Sequence, residues 1–377
     1  MIKPDRRSKT YVPLILLFAV SMVYCVGCSN VNGNQGSDGD SGVKLEENWL
    51  VPEHEVIDGG PGQDGIPSID NPKFAPAGQI DYVADDRRVL GVKRGDEIRA
   101  YPHQVLDWHE IINDQFGDRD VTVTYCPLTA TGIAWLPRLG SEFGTSGLIF
   151  RNNLVAYDRV TGSLWSQMRL RSINGERMGE NLDMVYLIDT KWSTWKSMFP
   201  DSKVLTTDTG YSRDYQSFAY GEDYSTKDGI LLFPTKYRTD NRLNRKARVH
   251  AIIDGDSLHE HSTVKVYEIG KFGNGIDLVH DRFEGENYVV IGSSSLSFAV
   301  AYHANLPDGT PLTFTPVQNK LPVVMQDGEG SSWTVFGEAV DGPRTGEQLK
   351  PAKAYSGYWF GMRDLYRLPE IYQFDEP

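Results

Sequence analysis

Asn174-Gly-Glu-Arg-Met-Gly-Glu-Asn-Leu182 is the stretch that decides the fold, because it returns in altered form as Asp341-Gly-Pro-Arg-Thr-Gly-Glu-Gln-Leu349. Tryptophans flank both copies at matched distances: Trp165 and Trp333 stand 17 and 16 positions before the final leucine, and Trp192 and Trp359 stand 10 positions after it. The matched spacing predicts two copies of one supersecondary unit. Because a solenoid needs about three or more repeats, we expect an internally duplicated, pseudo-symmetric globule.

Short runs rich in β-branched and aromatic residues lie around both copies and indicate strands. These runs are 89–92, 121–125, 154–157, 164–168, 288–291 and 297–302. Helical patterns are few. Pro102 can begin one that continues along 105–114, and two more are predicted at Trp192–Phe199 and Trp359–Tyr366. The predicted fold class is therefore mainly β with short helices (α+β).

The first 28 residues have the pattern of a secretory signal, with a basic start and an apolar run over 11–26. That run is too short for a comfortable membrane span. It ends in Gly27-Cys28-Ser29, which resembles the bacterial lipoprotein signal, where a diacylglycerol on Cys28 would anchor the chain. Ser29 in place of an aspartate slightly favours the outer membrane of a bacterial cell envelope. Plain secretion with cleavage nearby is the alternative.

The rest of the chain divides by composition and by the repeat. Residues 29–47 are mostly Gly, Asn, Ser and Asp and predict a flexible tether. The first repeat unit, with the candidate site, covers 48–205, a connector covers 206–244, and a second, degenerate unit covers 245–377. The net charge of −13 argues against nucleic acid and anionic lipid surfaces as partners. The membrane, reached through Cys28, is the expected partner, and the substrate, protein partners and cofactors stay open.

After processing, Cys126 would be the only cysteine besides Cys28. Strand alternation places Cys126 on the face opposite Tyr125, and Pro127 ends the strand. The following loop supplies hydroxyl and backbone N–H groups from Thr129, Thr131 and Gly132, which can bind an oxyanion. A thiol in this position can act as a nucleophile. The alternative is a small buried hydrophobic residue.

Other polar side chains complete the candidate site. His109, on the preceding helix, can draw the proton from the thiol, and Glu110 can orient the imidazole. Arg151 or Arg213 can hold an anionic group of a substrate. In the connector, Arg213, Asp214 and Tyr215 form a second polar group, for which an internal Arg–Asp pair is the alternative.

Several motifs resemble a bacterial family, the domain of unknown function 3179. They are Ile66–Phe74, Arg99–Pro102, Asp107–Asp114, Tyr125–Gly132, Phe143–Leu148, Tyr157–Gln167 and Thr209–Tyr215. Many members carry a second cysteine in the Tyr-Cys-Pro-Leu motif, where Thr129 stands here. The resemblance therefore implies a single thiol acting with His109. The aligned part of the second repeat, 291–295, has no cysteine, which favours one site and a scaffold role for the second unit.

Three functions follow as hypotheses. In the first, an envelope hydrolase or acyl transferase uses Cys126 as nucleophile, His109 as base and Glu110 as orienting group. In the second, Cys126 and His109 bind copper or zinc. In the third, the protein is a non-catalytic binding or scaffold module.

Overall fold

The computed structural model describes residues 48–374, except 139, 238–239, 256–261 and 307. The predictions for the signal segment, for lipidation at Cys28 and for the tether lie outside the described residues. No helix within the described part is long and apolar enough to cross a membrane.

The fold is mainly β, and the first half of the described chain contains two short α-helices. The helices are α1 (His103–His109) and α2 (Trp192–Met198). The strands are β1 (Val56–Asp58), β2 (Phe74–Pro76), β3 (Arg88–Arg94), β4 (Glu97–Pro102), β5 (Ile111–Phe116), β6 (Arg119–Cys126), β7 (Thr131–Leu136), β8 (Phe143–Phe150), β9 (Asn153–Asp158), β10 (Leu164–Ser166), β11 (Arg171–Asn174), β12 (Asp183–Val185), β13 (Leu187–Lys191) and β14 (Lys203–Leu205).

The second half contains one short α-helix among its described residues, α3 (Trp359–Leu365). Its strands are β15 (Arg248–Ile253), β16 (Val264–Glu268), β17 (Asp277–Phe283), β18 (Glu286–Ser293), β19 (Phe298–His303), β20 (Phe314–Pro316), β21 (Val323–Asp327), β22 (Ser332–Thr334), β23 (Ala339–Asp341), β24 (Ala354–Tyr358) and β25 (Glu370–Ile371).

The sheets of the two halves have corresponding strand orders. One sheet runs β13-β3-β4-β14-β2 in the first half, and its counterpart in the second runs β24-β15-β16-β25. In both, the fourth strand is parallel to the third, whereas the other neighbours are antiparallel. The sheets β12-β7-β6-β5 and β1-β8-β9-β10-β11 are matched by β17-β18-β19 and β20-β21-β22-β23.

The quoted repeat forms the same contacts in both halves. The indole N–H of Trp165 donates to Asp158 at 3.0 Å, and that of Trp333 donates to Asp327 at 3.0 Å. Two positions before each tryptophan, a serine accepts from the backbone N–H of the arginine in the repeat. Ser163 accepts from Arg177 at 3.0 Å, and Ser331 accepts from Arg344 at 3.1 Å. The spacing found in the sequence therefore reflects one turn geometry used twice.

The apolar cores are shared between the halves. Trp359 of α3 is buried in one cluster with Trp135 and Trp165 of the first half. Trp192 of α2 is buried in another cluster with Trp333 of the second half. Each half thus supplies side chains to a core that the other half completes.

Helix α1 is shorter than the predicted 105–114 helix. It ends at His109, and Glu110 has a left-handed backbone with φ of 56°. Residues 111–116 then pair with β6 as strand β5. Pairing with β6 fixes an extended backbone here and overrides the helical spacing of Val105, Trp108 and Ile112. The other two helices begin at the predicted tryptophans.

Candidate functional site

Cys126 is the last residue of β6, as the alternation and Pro127 predict. It pairs with Thr131 across the β6–β7 hairpin, and the loop between them includes Ala130, whose φ is 50°. The cysteine side chain enters a core cluster that contains residues of both halves, and its residue is 1% exposed. The structure therefore places the sulfur inside the protein at the end of a strand.

The sulfur faces several polar groups. The thiol donates to the backbone carbonyl of Asn152, with Sγ and O 3.7 Å apart. The hydroxyl and backbone N–H of Thr129 and the backbone N–H of Leu154 donate toward the sulfur. Thr129 Oγ1 in turn accepts from Asn153 at 3.1 Å and from Thr131 at 3.0 Å. Thr129 thus links the sulfur to a buried hydrogen-bond network.

Burial, together with the nearby Glu110 carboxyl, raises the pKa of Cys126 to about 11, although the Thr129 and Leu154 donors oppose this shift. Loss of hydration disfavours the charged thiolate more than these donors favour it. The resting thiol is therefore protonated at neutral pH.

Glu110 is the ionisable group beside Cys126. Its backbone carbonyl accepts from the N–H of Tyr125 at 2.8 Å, which attaches the end of α1 to β6. Its carboxyl accepts from the hydroxyl of Tyr220 at 2.6 Å. Burial raises the pKa of Glu110 to about 7, although the Tyr220 hydrogen bond lowers it. A carboxyl with this pKa can gain or release a proton near neutral pH.

Cys126 and Glu110 line one small cavity of about 120 Å³, which we call the thiol cavity. Its other walls are mostly apolar and come from β8, β9, the connector and the segment before β2. They include Ile66, Leu128, Leu148, Ile149, Leu154, Leu232 and Phe233. The cavity therefore presents a thiol and a carboxyl to a short apolar group.

His109 is not placed as the sequence predicted. One ring nitrogen, Nδ1, lies 2.8 Å from the carbonyl of Pro67, and the other, Nε2, lies 2.8 Å from the hydroxyl of Tyr215. Both nitrogens thus have partners other than Cys126. Burial lowers the pKa of His109. Because α1 ends between His109 and Glu110, the two neighbouring side chains contact different segments, and the carboxyl reaches the thiol cavity instead of the imidazole.

The predicted arginines lie away from the thiol cavity. Arg151 is buried in the β8–β9 turn, pairs with Glu55 and donates to the carbonyl of Leu365 at 3.1 Å. Arg213 is exposed, and its guanidinium lies 5.9 Å from the ring centre of Trp108. Neither side chain lines the cavity.

The remaining predicted residues have structural partners. Asp214 is exposed and accepts from the backbone N–H of Gln216 at 3.1 Å. Tyr215 is buried between His109 and Thr209. Gly132 pairs with Tyr125, and a Cβ there would meet Leu90 at 2.4 Å. The structure brings Cys126, Glu110, Thr129 and, behind it, Thr131 together.

Sequence reasoning missed two parts of the site. Tyr220, which holds Glu110, lies in the connector, and no local spacing relates it to the thiol. Asn152 belongs to the β8–β9 turn, in which Arg151 and Asn152 both have positive φ. The asparagine pair Asn152-Asn153 between two apolar runs was the available turn signal.

Within the described part of the chain, no three His, Cys, Asp or Glu side chains are grouped so that they could hold a metal ion. Cys126 and His109 are not part of such a group among the described residues, and the copper or zinc hypothesis stays a prediction.

The fold and site define a mainly β protein with a buried thiol cavity. A family model described as a protein of unknown function (DUF3179) matches residues 63–367, and the chain belongs to this family. Comparison with curated proteins and with solved structures gives no match.

Proposed function

We propose that the protein is an enzyme that transfers an acyl group to Cys126 and releases it to water or to another acceptor, which makes it a hydrolase or acyl transferase. The observation that carries this proposal is that Cys126 and Glu110 line one mostly apolar cavity. The walls can hold a short acyl chain, while the two polar groups meet its carbonyl end.

The proposed reaction has two balanced steps. Cys126 Sγ attacks the acyl carbonyl carbon while Glu110 takes the thiol proton. The tetrahedral intermediate then expels its leaving group, which takes that proton from Glu110, and a thioester remains on Cys126. Water or an acceptor attacks the thioester, gives its proton to Glu110 and releases the acyl product. The thiolate leaving group recovers the proton, which restores both residues.

The high pKa of Cys126 is compatible with this mechanism. A general base removes the proton during attack, so the enzyme does not need a stored thiolate. The pKa of Glu110, at about 7, makes the carboxylate available near neutral pH. The N–H groups of Thr129 and Leu154, which donate toward the sulfur, are the donors that this mechanism assigns to the developing oxyanion.

His109 enters the proposal as a positioning residue. Its hydrogen bonds to Pro67 and Tyr215 connect the end of α1 to the segment before β2 and to the connector. Both of these segments also contribute walls to the thiol cavity, through Ile66, Leu232 and Phe233.

Activated esters test the proposal. Purified protein is mixed with p-nitrophenyl acetate, butyrate or octanoate, and release of p-nitrophenol is followed. We expect a burst that Cys126→Ser abolishes, with butyrate favoured over octanoate because the cavity is about 120 Å³. Glu176→Gln, at an exposed position, serves as the control. A Cys126→Ser variant with wild-type release would contradict the proposal.

We also propose that the protein is a bacterial lipoprotein, anchored in the cell envelope by a lipid on Cys28. The apolar run over 11–26 and the polar segment 29–47 support this proposal. Cell fractionation tests it. Wild-type protein should stay with membranes until detergent is added, whereas Cys28→Ser should be released. Retention of Cys28→Ser on membranes would contradict lipid anchoring at this residue.

We further infer that the two halves derive from one duplicated unit. The corresponding strand orders and the matched Trp–Asp contacts support this inference. Ser293 ends β18 as Cys126 ends β6, so the second copy has a serine at the thiol position. The second half thus serves as the scaffold that completes the core around the thiol.

A further inference from the structure

A second cavity, of about 620 Å³, lies where the two halves and the connector meet, and we call it the tyrosine cavity. Helix α1 supplies His103, Gln104 and Asp107, and β6 supplies Tyr125. The second half supplies Arg248 and Tyr358. Its volume is within the range of small-molecule sites. The chain thus forms a ligand-sized cavity from residues far apart in sequence.

Two mostly buried tyrosines line this cavity. Tyr125 is 5% exposed and Tyr358 is 7% exposed. Neither hydroxyl has a hydrogen-bond partner among the described residues, although both tyrosines line the cavity and interact electrostatically with one another. A tyrosine hydroxyl can donate one hydrogen bond. Both hydroxyls are therefore free to donate to an acceptor atom of a ligand in this cavity.

The inner charges of the tyrosine cavity favour an anion. Arg88 pairs with Asp189, with Nε and Oδ1 2.8 Å apart, and Arg248 pairs with the other oxygen of the same carboxylate. Two guanidinium groups thus face one carboxylate. The His103 ring also lies beside Asp189, with Nε2 and Oδ1 3.3 Å apart. The inner wall therefore keeps an excess of positive charge.

Other charged groups line the cavity. Arg87 lies 4.4 Å from the ring centre of Phe218. Asp86 and Glu222 are exposed, where solvent and salt screen them. Asp107 is buried, and burial together with the nearby Glu110 carboxyl raises its pKa to about 8, although Arg87 opposes this shift. At pH 7 Asp107 is mostly protonated and acts as a third neutral donor.

We propose that the tyrosine cavity binds a small organic molecule through a carboxylate group, which accepts hydrogen bonds from Tyr125, Tyr358 and Asp107. Arg88 and Arg248 are already paired with Asp189 and leave only a small excess of positive charge to neutralise a ligand. A ligand group with one negative charge, which accepts hydrogen bonds from these neutral donors, therefore fits better than a group with two charges. A protonated carboxyl can also share its hydrogen with a carboxylate. Phe218, Tyr224 and Pro127 provide apolar surface for the rest of the ligand.

The carboxylate site is independent of the thiol chemistry. Tyr125 and Cys126 point to opposite faces of β6, so that strand separates their cavities. Tyr220 lines both cavities. Cys126→Ser should therefore keep carboxylate binding, which allows the two proposals to fail separately.

Calorimetric titration with benzoate, benzamide and phenyl phosphate tests the carboxylate site. Benzoate should bind saturably, and benzamide and phenyl phosphate should bind at least fivefold more weakly. Tyr125→Phe with Tyr358→Phe should weaken benzoate at least fivefold, whereas the exposed Tyr211→Phe should not. Overturning results are no saturable benzoate binding, equal binding of benzamide, tighter binding of phenyl phosphate, or unchanged binding in the double variant.

A pH series on wild-type protein avoids any folding defect of the double variant. Asp107 faces Glu110, Arg87, Tyr125, Tyr220 and Tyr358. Ionisation of Asp107 removes its donor, so benzoate affinity should fall about tenfold from pH 7 to pH 9. In Asp107→Asn the benzoate affinity should change little from pH 7 to pH 9. This variant therefore separates the effect of Asp107 ionisation from that of Glu110 ionisation. Constant wild-type affinity, or the same decline in Asp107→Asn, would overturn the role of Asp107.

Discussion

At the scale of single residues, the proposed chemistry depends on how far burial shifts the pKa of each side chain. Cys126 and Glu110 share one cavity, but only the carboxyl has a pKa near 7. The left-handed backbone of Glu110 at the end of α1 points this carboxyl toward the cavity. A strained backbone at a candidate site is consistent with a functional constraint.

The rate should follow the ionisation of Glu110. For ester cleavage, kcat/KM should rise with pH through an apparent pKa of about 7, because only the carboxylate accepts the thiol proton. Glu110→Gln should lower kcat/KM about 100-fold and remove this rise. Stopped-flow measurement from pH 5 to 9 gives the profile. An unchanged profile in Glu110→Gln would show that another group is the base.

Stability should also depend on Glu110. Its pKa is raised from 4.5 in the unfolded chain to about 7 in the folded protein, so its contribution is complete below pH 4.5 and is lost as pH rises through 7. The loss is roughly 3 kcal/mol at 1.36 kcal/mol per pKa unit. Urea unfolding at pH 5 and 9 should show a smaller stability loss in Glu110→Gln than in wild type. Glu176→Gln should behave like wild type.

Part of the site could be predicted from residue types and alternation. Cys126 and Thr129 were identified because they lie at one strand end and in the loop after it, whereas Glu110 was identified as the neighbour of His109 that would orient the imidazole. His109 was misplaced as the partner of the thiol, because the direction of adjacent side chains at a helix end depends on the terminal backbone angles. Tyr220 was missed, because its contact with Glu110 spans 110 positions.

At the scale of elements, the turn that occurs in both halves has the most closely matched hydrogen bonds. Asp158 and Asp327 accept the indole N–H of Trp165 and Trp333, and both carboxyls also accept backbone N–H groups of their own loops. Such hydrogen bonds lower the pKa of both aspartates, although burial opposes this effect. The spacing of the tryptophans was sufficient to predict that the two turns correspond.

Removing either acceptor should have a similar cost. Asp158→Ala and Asp327→Ala each leave a buried indole N–H without its partner, and we expect each to lower the free energy of unfolding by about 2 kcal/mol. Asp183→Ala, at an exposed position, is the control and should change it by less than about 0.5 kcal/mol. Urea unfolding measures all three. A large effect in only one half would contradict equivalent turns.

Element boundaries were less predictable than element types. Most predicted strands are present, but the helix from Pro102 gives way to β5 at Ile111. Pairing with β6 determines this boundary. The apolar spacing along the segment suits both a helix and a half-buried strand, and only the tertiary partner decides between them.

At the scale of the whole molecule, the halves are joined through their cores. Trp359 is buried in the same core cluster as Trp135 and Trp165, and Trp192 is buried in the same cluster as Trp333. The spacing of the repeat did not predict that the two halves share these core clusters. Spacing indicates which residues form each unit, but it does not indicate which residues of the other unit they contact. Cys126 belongs to one of these shared clusters.

The two halves should therefore fold together. We expect residues 48–244 and 245–377, produced separately, to lack cooperative unfolding, and the mixed fragments to recover part of it. The reason is that each fragment exposes tryptophans that the other buries. Calorimetry of the fragments and of the intact protein measures this. A separate fragment that unfolds as cooperatively as the intact protein would contradict a shared core.

The central claim is that Cys126 carries an acyl group during turnover, and mass spectrometry of protein quenched in acid after mixing with p-nitrophenyl butyrate tests it most directly. We predict an added mass of one butyryl group per chain, located on the peptide that contains Cys126, and slower formation of this adduct in Glu110→Gln. Ester cleavage by wild-type protein without an adduct on this peptide, or with an equal adduct in Cys126→Ser, would contradict the claim.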